Sequence, residues 1–409
     1  MSIKLLILTQ YFPPEVGAPQ NRLYELALRL QKSGVDVTVI TAMPNYPQME
    51  IQESYKGKKY VYEEMNGLKV HRSSIYVSKN RSIISRLRNY FSFVHSSARC
   101  GAKHIGEADV IFCESPPLFL GYSALRLKRK KKAKLIFNVS DLWPESAEKL
   151  GVVTNKLLLK FAYNLEEKLY RSSALITGQT QGICKDINYR FPNLKTYWLP
   201  NGVDLNYYDP GRISENDWRI KNGFSESDHI FLYAGIIGIA QGLEVILNAA
   251  KETKDKPNLK FVLLGSGPEK EKLKALKQQS GLENVIFIDA VSKTEMPGVL
   301  KSVNAVIVPL KKLDLFKGAI PSKLFESSAM ELPILLGVDG EARELFIDHG
   351  KCGLYFEPEN SKQLAESVLK LNSDPSLAKQ LGMNGRRYVN ENFNRDNIAN
   401  RFLEQLKKL

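Results

Sequence analysis

A chain of 409 residues exceeds what one hydrophobic core ordinarily serves and suits two α/β domains of about 200 residues each. With 43% apolar and 25% charged residues it is globular rather than disordered, and its four cysteines (Cys100, Cys113, Cys184 and Cys352) form no Cys-x-x-Cys pair. They read as reduced, buried thiols and argue against a disulfide scaffold or a zinc site. The formal charge of +14 is concentrated, since thirteen Lys and Arg between Lys79 and Lys134 meet only three acids, Glu107, Asp109 and Glu114.

The chain opens on Met1–Thr9, an apolar run of strand length without a signal-peptide cleavage site, and too short to cross a bilayer. No other segment reaches the necessary 18 or so apolar residues, so a soluble or surface-held protein is expected. Short β-branched runs then alternate with helical periodicity, the pattern of βαβ units on parallel sheets. Strands are predicted at Lys4–Thr9, Asp36–Ala42, Val110–Glu114, Lys134–Val139, Ala174–Gly178 and Tyr197–Pro200. Helices are predicted at Pro19–Ser33, Ile83–Lys103, Leu118–Lys130, Asn155–Arg171 and Gln181–Arg190. Asn201-Gly-Val-Asp204 and Tyr207-Tyr-Asp-Pro210 read as a linker. The pattern restarts with strands at Ile230–Ala234, Lys260–Leu264, Val285–Ile288, Ala305–Val308 and Ile334–Gly337. Between and after them come helices at Leu243–Thr253, Glu269–Gln279, Ser292–Lys301, Ser322–Met330, Ala342–His349, Lys362–Asn372, Leu377–Glu391 and Arg395–Leu406. Two doubly wound sheets in series make a cleft between domains the expected ligand site.

After the first strand, Gly17 lies in a turn leading straight into a helix, a place for close backbone approach and for an anion or polar sugar, or simply a βα turn. Glu114-Ser-Pro-Pro117 and Asn138-Val-Ser-Asp-Leu-Trp-Pro-Glu145 end neighbouring strands and are expected on one rim. There Asp141 suits a general base, a hydroxyl-orienting group or a helix N-cap. Trp143 offers a ring to a sugar face, and Glu114 and Glu145 belong to the same acceptor-side rim. Two basic segments, Arg81–Val94 (Arg86 and Arg88 among Ile83, Ile84, Tyr90, Phe91 and Phe93) and Lys128–Lys132, suit either an anionic bilayer surface or a solvated face, with nucleic acid a distant third.

In the second half, Gly235-Ile-Ile-Gly-Ile-Ala-Gln-Gly242 departs from the Gly-x-Gly-x-x-Gly spacing, which argues against a nicotinamide cofactor. Gly265-Ser-Gly267 follows the next strand and suits a nucleotide lining or a tight turn. Lys317–Met330 is the most informative stretch. A Gly- and Pro-containing loop enters a helix whose first-turn N–H groups from Ser322 onward, together with Lys323, suit a diphosphate, and Glu326 one turn later suits a ribose diol. No Asp-x-Asp occurs and the five histidines show no ligand spacing. No metal is therefore expected, and leaving-group charge falls to helix dipoles and Lys323.

Gln10-Tyr-Phe-Pro-Pro-Glu15, Ser140-Asp-Leu-Trp-Pro144, Leu199-Pro-Asn-Gly-Val-Asp204, Tyr233-Ala-Gly235, Gln241-Gly-Leu243 and Pro321-Ser-Lys-Leu-Phe-Glu326 together resemble the retaining glycosyltransferase family 4 of GT-B fold, nearly end to end. Within it, the chain resembles the O-antigen and capsule branch, in particular L-fucosamine (FucNAc) transferases. The resemblance implies an acceptor-side domain over 1–203, a donor-binding domain over 204–389, and a C-terminal helix near 390–409 packed back on the first. It places Glu326 at the second glutamate of the family's E-x7-E motif, on the ribose, with Ser322 and Lys323 at the phosphates. Gly17, Gly238 and Gly265 fall beside the donor, and Val291 closes the stretch bordering the base. Asp141 stands where many relatives carry a histidine. Gly318, with Ala319 beside it on the donor side, occupies the place of the first glutamate, and the phosphate loop's usual Arg and Lys fall on Ile236 and Gln241. The implied reaction is metal-free transfer from a UDP-sugar to a polyprenyl-diphosphate-linked saccharide at the inner face of the cytoplasmic membrane. A GT-B sugar-nucleotide epimerase is the nearest alternative. A non-catalytic membrane or nucleic-acid binding protein is another, but it gives Pro321–Glu326 no purpose.

Overall fold

The structure, a computed structural model, describes residues 2–15, 17–46, 48–80, 82–149, 151, 153–214 and 217–409, and only the backbone of Ala18, Pro19 and Ile83. Arg81 and the Ile83 side chain of the first basic segment therefore lie outside the described residues. The chain divides into two compact units, residues 1–201 with 395–409, and residues 202–394. The division thus falls after Asn201 rather than after 203, and again after Asn394 rather than near 389.

The N-terminal unit runs β1 (Lys4–Leu8), α1 (Ala18–Lys32), β2 (Asp36–Ala42), β3 (Tyr60–Met65), β4 (Leu68–Ser73), α2 (Ile83–His104), β5 (Val110–Ser115), α3 (Gly121–Lys131), β6 (Lys134–Val139), α4 (Glu145–Lys149), α5 (Lys156–Ser172), β7 (Leu175–Gly178), α6 (Gln181–Arg190) and β8 (Thr196–Trp198). Its eight strands lie in the order β3-β4-β2-β1-β5-β6-β7-β8, all parallel except the β3–β4 hairpin. Central strands such as Val110-Ile-Phe-Cys-Glu-Ser115 are buried throughout because helices cover both faces. The chain reverses its winding between β1 and β5, so the loops after these strands flank the unit's switch point. Helix starts are fixed locally: Asn155 Oδ1 accepts from the N–H groups of Leu157 and Leu158, both at 3.0 Å, and Thr180 Oγ1 accepts from Ile183.

The C-terminal unit runs α7 (Trp218–Lys221), β9 (His229–Ala234), α8 (Glu244–Glu252), β10 (Leu259–Leu264), α9 (Lys270–Gln279), β11 (Val285–Ile288), α10 (Met296–Lys301), β12 (Ala305–Pro309), α11 (Lys323–Ala329), β13 (Ile334–Gly337), α12 (Glu341–Arg343), β14 (Gly353–Tyr355), α13 (Ser361–Ser373) and α14 (Pro375–Phe393). Its six strands, ordered β11-β10-β9-β12-β13-β14, are all parallel, with the switch point between β9 and β12. The last helix, α15 (Arg395–Lys407), belongs to the N-terminal unit. Ile398, Ala399, Phe402 and Leu406 are buried there with Leu23, Leu30, Val110 and Phe112.

Several elements depart from the sequence-based expectation, α7 among them as an additional helix. The β3–β4 hairpin, α4 and β14 are additional, and the helix expected over Ala342–His349 begins as α12 but widens to π geometry over Glu344–His349. Two expected segments are also shortened: Ser292–Lys301 is helical only from Met296, and Leu118–Leu120 is a separate 3-10 turn before α3. The four cysteines are free and buried.

Phe402 is fully buried, with its ring 5.8 Å from that of Phe112 and 6.2 Å from that of Tyr197. Phe402→Ala is expected to cost about 3–5 kcal/mol of stability, read from urea unfolding midpoints. A loss below about 1 kcal/mol would mean that α15 does not form part of this core.

Candidate active site

The loops after β9 and β10 are stacked backbone on backbone. A Cβ on residue 265 would stand 1.9 Å from the Gly235 carbonyl oxygen, and one on residue 267 would stand 2.2 Å from that of Ile237. Both glycines also hold positive φ, at 150° and 158°, so side chains are excluded twice over. Hydrogen bonds fix the stack: Gly235 N–H donates to Leu264 O and Ile237 N–H to Ser266 O, both at 2.9 Å. Gly235 in turn leaves room for Lys323, whose Nζ would be 3.1 Å from a Cβ there. The ammonium sits over the Tyr233 ring, 3.9 Å from its centroid, and the Tyr233 hydroxyl donates to Ile236 O at 2.5 Å. Desolvation is the main cause that lowers the Lys323 pKa to about 7, with the Glu326 carboxylate pulling the other way.

Lys323 opens α11, and Glu326 lies in its first turn. The structure therefore brings Lys323, Glu326, Gly235 and Gly265 into one neighbourhood at the C-terminal ends of the strands. It revises the donor set at the helix start. Ser322 makes no side-chain cap, and the N–H groups of Leu324 and Phe325 already donate to Pro321 O and Ser322 O, both at 3.1 Å. Fewer first-turn N–H groups thus face a ligand than an open helix end would supply. Gly238 is extended rather than left-handed, and a Cβ there would press on the Gln241 side chain at 2.8 Å. Ile236 and Ile239 expose the apolar tip of this loop. Gly318 ends a 3-10 turn over Asp314–Gly318, and a Cβ there would meet open space. Its glycine is therefore not demanded by packing. Ala319 N–H donates to Phe316 O at 2.9 Å. Val291 lies just beyond β11, half-buried.

Two cations escaped sequence reasoning. Lys311 follows β12 at the switch point, where its N–H donates to Ala240 O at 2.9 Å and its side chain packs on Gly242, which holds φ 58°. Lys270 Nζ donates to Gly265 O at 2.9 Å and to Asp289 Oδ1 at 2.6 Å, bracing the glycine stack from beneath. The available signal for Lys311 was its position directly after a fully buried strand.

In the N-terminal unit, Glu114 corrects the expectation of an acceptor-side carboxylate. It is buried and consumed: Arg22 Nη2 donates to it at 2.7 Å, Asn138 Nδ2 at 2.7 Å, and the Ser140 hydroxyl donates as well. Thr177 Oγ1 extends the network to Asn138 Oδ1 at 2.6 Å. Glu114 thus ties β5, β6 and α1 together. Asp141, by contrast, is exposed on the turn after β6, and Ser146 Oγ donates to its Oδ2 at 2.8 Å. The Trp143 ring is half-buried against the core, edge-on to Phe119 at 5.4 Å, so its broad face is not simply offered to solvent. Glu145 pairs with Lys149 at 2.5 Å within α4. Gly17 precedes α1 in extended conformation, and its missing Cβ leaves space for the Gln20 amide.

The basic segments divide in the same way. Lys128 Nζ donates to Ser172 O at 2.6 Å, Lys131 Nζ donates to Ile105 O, and Lys132 (φ 54°) terminates α3, so much of the Lys128–Lys132 run does structural work. On α2, Phe93 is buried while Ile84, Arg86, Arg88 and Phe91 are exposed. Leu157 and Phe161 are exposed on α5, beside Lys156 and Lys160. The two helices share one surface, because the rings of Phe91 and Phe161 both pack on Phe119, at 5.0 and 6.4 Å. Among the described residues no helix is long and apolar enough to cross a membrane, and no cluster of three or more His, Cys, Asp or Glu is arranged to hold a metal ion.

Comparison with known proteins agrees with these two units. Residues 20–207 match the family model described as Glycosyltransferase Family 4, and residues 214–388 match that described as Glycosyl transferases group 1. The chain is 25% identical over 417 residues to WcaI of Escherichia coli, a glycosyl transferase assigned to colanic acid biosynthesis, covering 99% of this chain and all of that one. It is 23% identical to the O-antigen chain mannosyltransferase C of Escherichia coli, over 96% of this chain and 95% of the relative. Similar solved structures include the sucrose-phosphate synthase of Thermosynechococcus elongatus, with TM-score 0.77 at 16% identity over 99% and 98% of the two chains. HepE of Anabaena, solved in complex with UDP and glucose, gives TM-score 0.73 at 17% identity over the whole of both chains. With both units matched and the same fold throughout, the chain belongs to the family 4 glycosyltransferases of GT-B fold.

Proposed function

We propose that this glycosyltransferase moves an aminodeoxysugar, FucNAc, from a UDP donor to a saccharide carried on polyprenyl diphosphate in O-antigen or capsule assembly. Retention at the anomeric carbon and independence of metal are part of the reading. The observation that carries it is the Lys323 ammonium held over Tyr233 beside the Gly235–Gly265 stack, with Glu326 in the first turn of the same helix. A cation and a glycine-lined backbone suit a diphosphate, and a carboxylate suits a ribose diol. The relatives named for colanic acid and O-antigen support the pathway, and the UDP complex of HepE supports the donor.

In the reaction, the bond between C1 of the sugar and the diphosphate oxygen breaks as an acceptor hydroxyl bonds to C1. Its proton leaves for the departing phosphate oxygen or a nearby base. Lys323 offsets charge on the leaving diphosphate. Asp141, exposed on its turn, is assigned to orienting the acceptor hydroxyl. Lipid-linked acceptors reside at the membrane, and the surface built by Ile84, Phe91, Leu157 and Phe161 among Arg88, Lys156 and Lys160 suits an anionic leaflet.

The donor is tested by thermal shift and calorimetry with UDP, GDP, ADP and dTDP, with and without chelator. UDP alone should stabilise, unaffected by chelation; a preference for another nucleotide would overturn the donor, and loss on chelation would overturn metal independence. Glu326→Ala should weaken UDP binding by about tenfold or more, as expected for lost hydrogen bonds to a charged group, and unchanged affinity would remove the ribose assignment.

Lys323 adds a pH signature. Its folded pKa of about 7 lies below the unfolded value of about 10.4. Between these values the unfolded chain binds more protons, so this group makes stability rise with pH across that window. A bound diphosphate restores the ammonium. UDP affinity should therefore fall as pH rises from about 7 to 9, with proton uptake in calorimetry, and Lys323→Met should abolish the uptake. A pH-independent affinity in the unsubstituted protein would rule out this role.

Membrane docking is read by flotation with phosphatidylglycerol vesicles. The Phe91→Ser/Phe161→Ser variant should lose most binding while keeping UDP affinity, and undiminished flotation would discard the surface.

A further inference from the structure

A cavity of about 550 Å³ in the N-terminal unit is lined by neither the Asp141 turn nor the Glu114 network. Its walls come from four places: Tyr11 after β1, Tyr46 after β2, Lys79 in the loop after β4, and Arg86, Asn89 and Tyr90 along one side of α2. The volume fits one or two sugar rings rather than a single ion or a water.

The lining is specific in its chemistry. Tyr11 and Tyr46 meet edge-to-face at 5.7 Å, giving a rigid aromatic corner on which the C–H face of a sugar packs. Asn89 is locked by bonds at both ends of its amide, accepting from Gln10 Nε2 at 3.0 Å and donating to Tyr76 O at 2.6 Å. Gln10 Nε2 also donates to the Tyr11 hydroxyl, and Gln10 Oε1 is buried without a partner. Burial raises the Tyr11 and Tyr90 pKa values, so both hydroxyls stay protonated as hydrogen-bond donors.

One side of the cavity is cationic. Arg86 is exposed in the first turns of α2, and no carboxylate pairs with it among the described residues. Lys79 pairs with Glu50 at 3.3 Å and Lys56 with Glu53 at 2.5 Å, so that group is balanced and Arg86 is the uncompensated cation of the edge. Aromatic corner, protonated hydroxyls, a fixed amide and the uncompensated Arg86 at one edge together match a sugar carrying a phosphate, and not a purely apolar or a neutral ligand.

We propose that this cavity binds a glycosyl phosphate, the reducing-end sugar and attached phosphate of the acceptor, with the ring against Tyr11 and Tyr46 and the phosphate at Arg86. The assignment rests on the reading of a diphosphate-carried acceptor.

The test uses the full chain saturated with UDP, and saturation-transfer NMR with a panel of hexose and N-acetylhexosamine 1-phosphates. At least one should bind. Arg86→Gln should weaken it about fivefold or more while leaving the matching free sugar unchanged, and Tyr46→Ala should weaken both. Neither variant should alter UDP affinity or Tm. The proposal is overturned if no member of the panel binds, if Arg86→Gln and Tyr46→Ala both leave binding unchanged, or if Lys323→Met abolishes it, which would move the phosphate to the donor side. Glycosyl phosphate binding without any UDP binding would sink the donor reading and uphold this one.

Discussion

The carbonyl oxygens of Gly235 and Ile237 occupy the space that Cβ atoms of residues 265 and 267 would need. The two strand-end loops can cross this closely because the loop after β10 carries glycine at both positions, and that crossing sets the level of everything above it. It brings Gly235 low enough for the Lys323 stem to pass, and leaves Tyr233 as the surface on which the ammonium rests. Lys270 donating to Gly265 O holds the crossing from the other side. A side chain at 265 or 267 would therefore act on the Lys323 site without touching a ligand, by lifting one loop off the other.

The N-terminal unit is organised around a different constraint, a buried charge. Arg22 and Glu114 are both almost inaccessible, and a pair so placed stabilises little in itself. Removing one partner is costly, about 3–5 kcal/mol, because the other is left buried and uncompensated. The consequence is positional. Glu114 also accepts from Asn138 and Ser140, so the ends of β5 and β6 move as one piece, and the exposed Asp141 turn is anchored at Ser140. The exposed Asp141 carboxylate and the buried Glu114 network are thus adjacent in the chain fold but differ in access.

Much of this was legible in the sequence, and what was not has identifiable causes. Strands buried on both faces announce themselves as continuous apolar runs, so β5 and β6 were placed almost to the residue. The β3–β4 hairpin sits at a sheet edge, and its strands carry Glu63, Glu64, Lys69 and Arg72, which masks their alternation. Asn66-Gly67, with φ of 50° and 82°, was a hairpin signal in plain view. Arg72 defeats composition rules altogether, being buried through bonds to Glu63, Pro13 O and Ala42 O. Lys323, Glu326 and the glycines could be singled out in the sequence because their spacing is local. Glu114 was misread because the arginine that consumes it lies 92 residues away, and no local pattern reports such a partner.

The replacement of two expected cations by Ile236 and Gln241 makes the electrostatics of the donor side depend on few groups. Desolvation lowers the Lys323 pKa to about 7, which leaves the group partly neutral near pH 7. That state is cheaper than a fixed buried charge, since a lysine can shed its proton where an arginine cannot. One phosphate charge arriving at about 4 Å contributes about 4 kcal/mol at an effective dielectric of about 20. That is about three pK units, enough to return the ammonium to full charge when a diphosphate arrives. A cation that charges fully only in the presence of an anion avoids holding an unpaired charge over Tyr233.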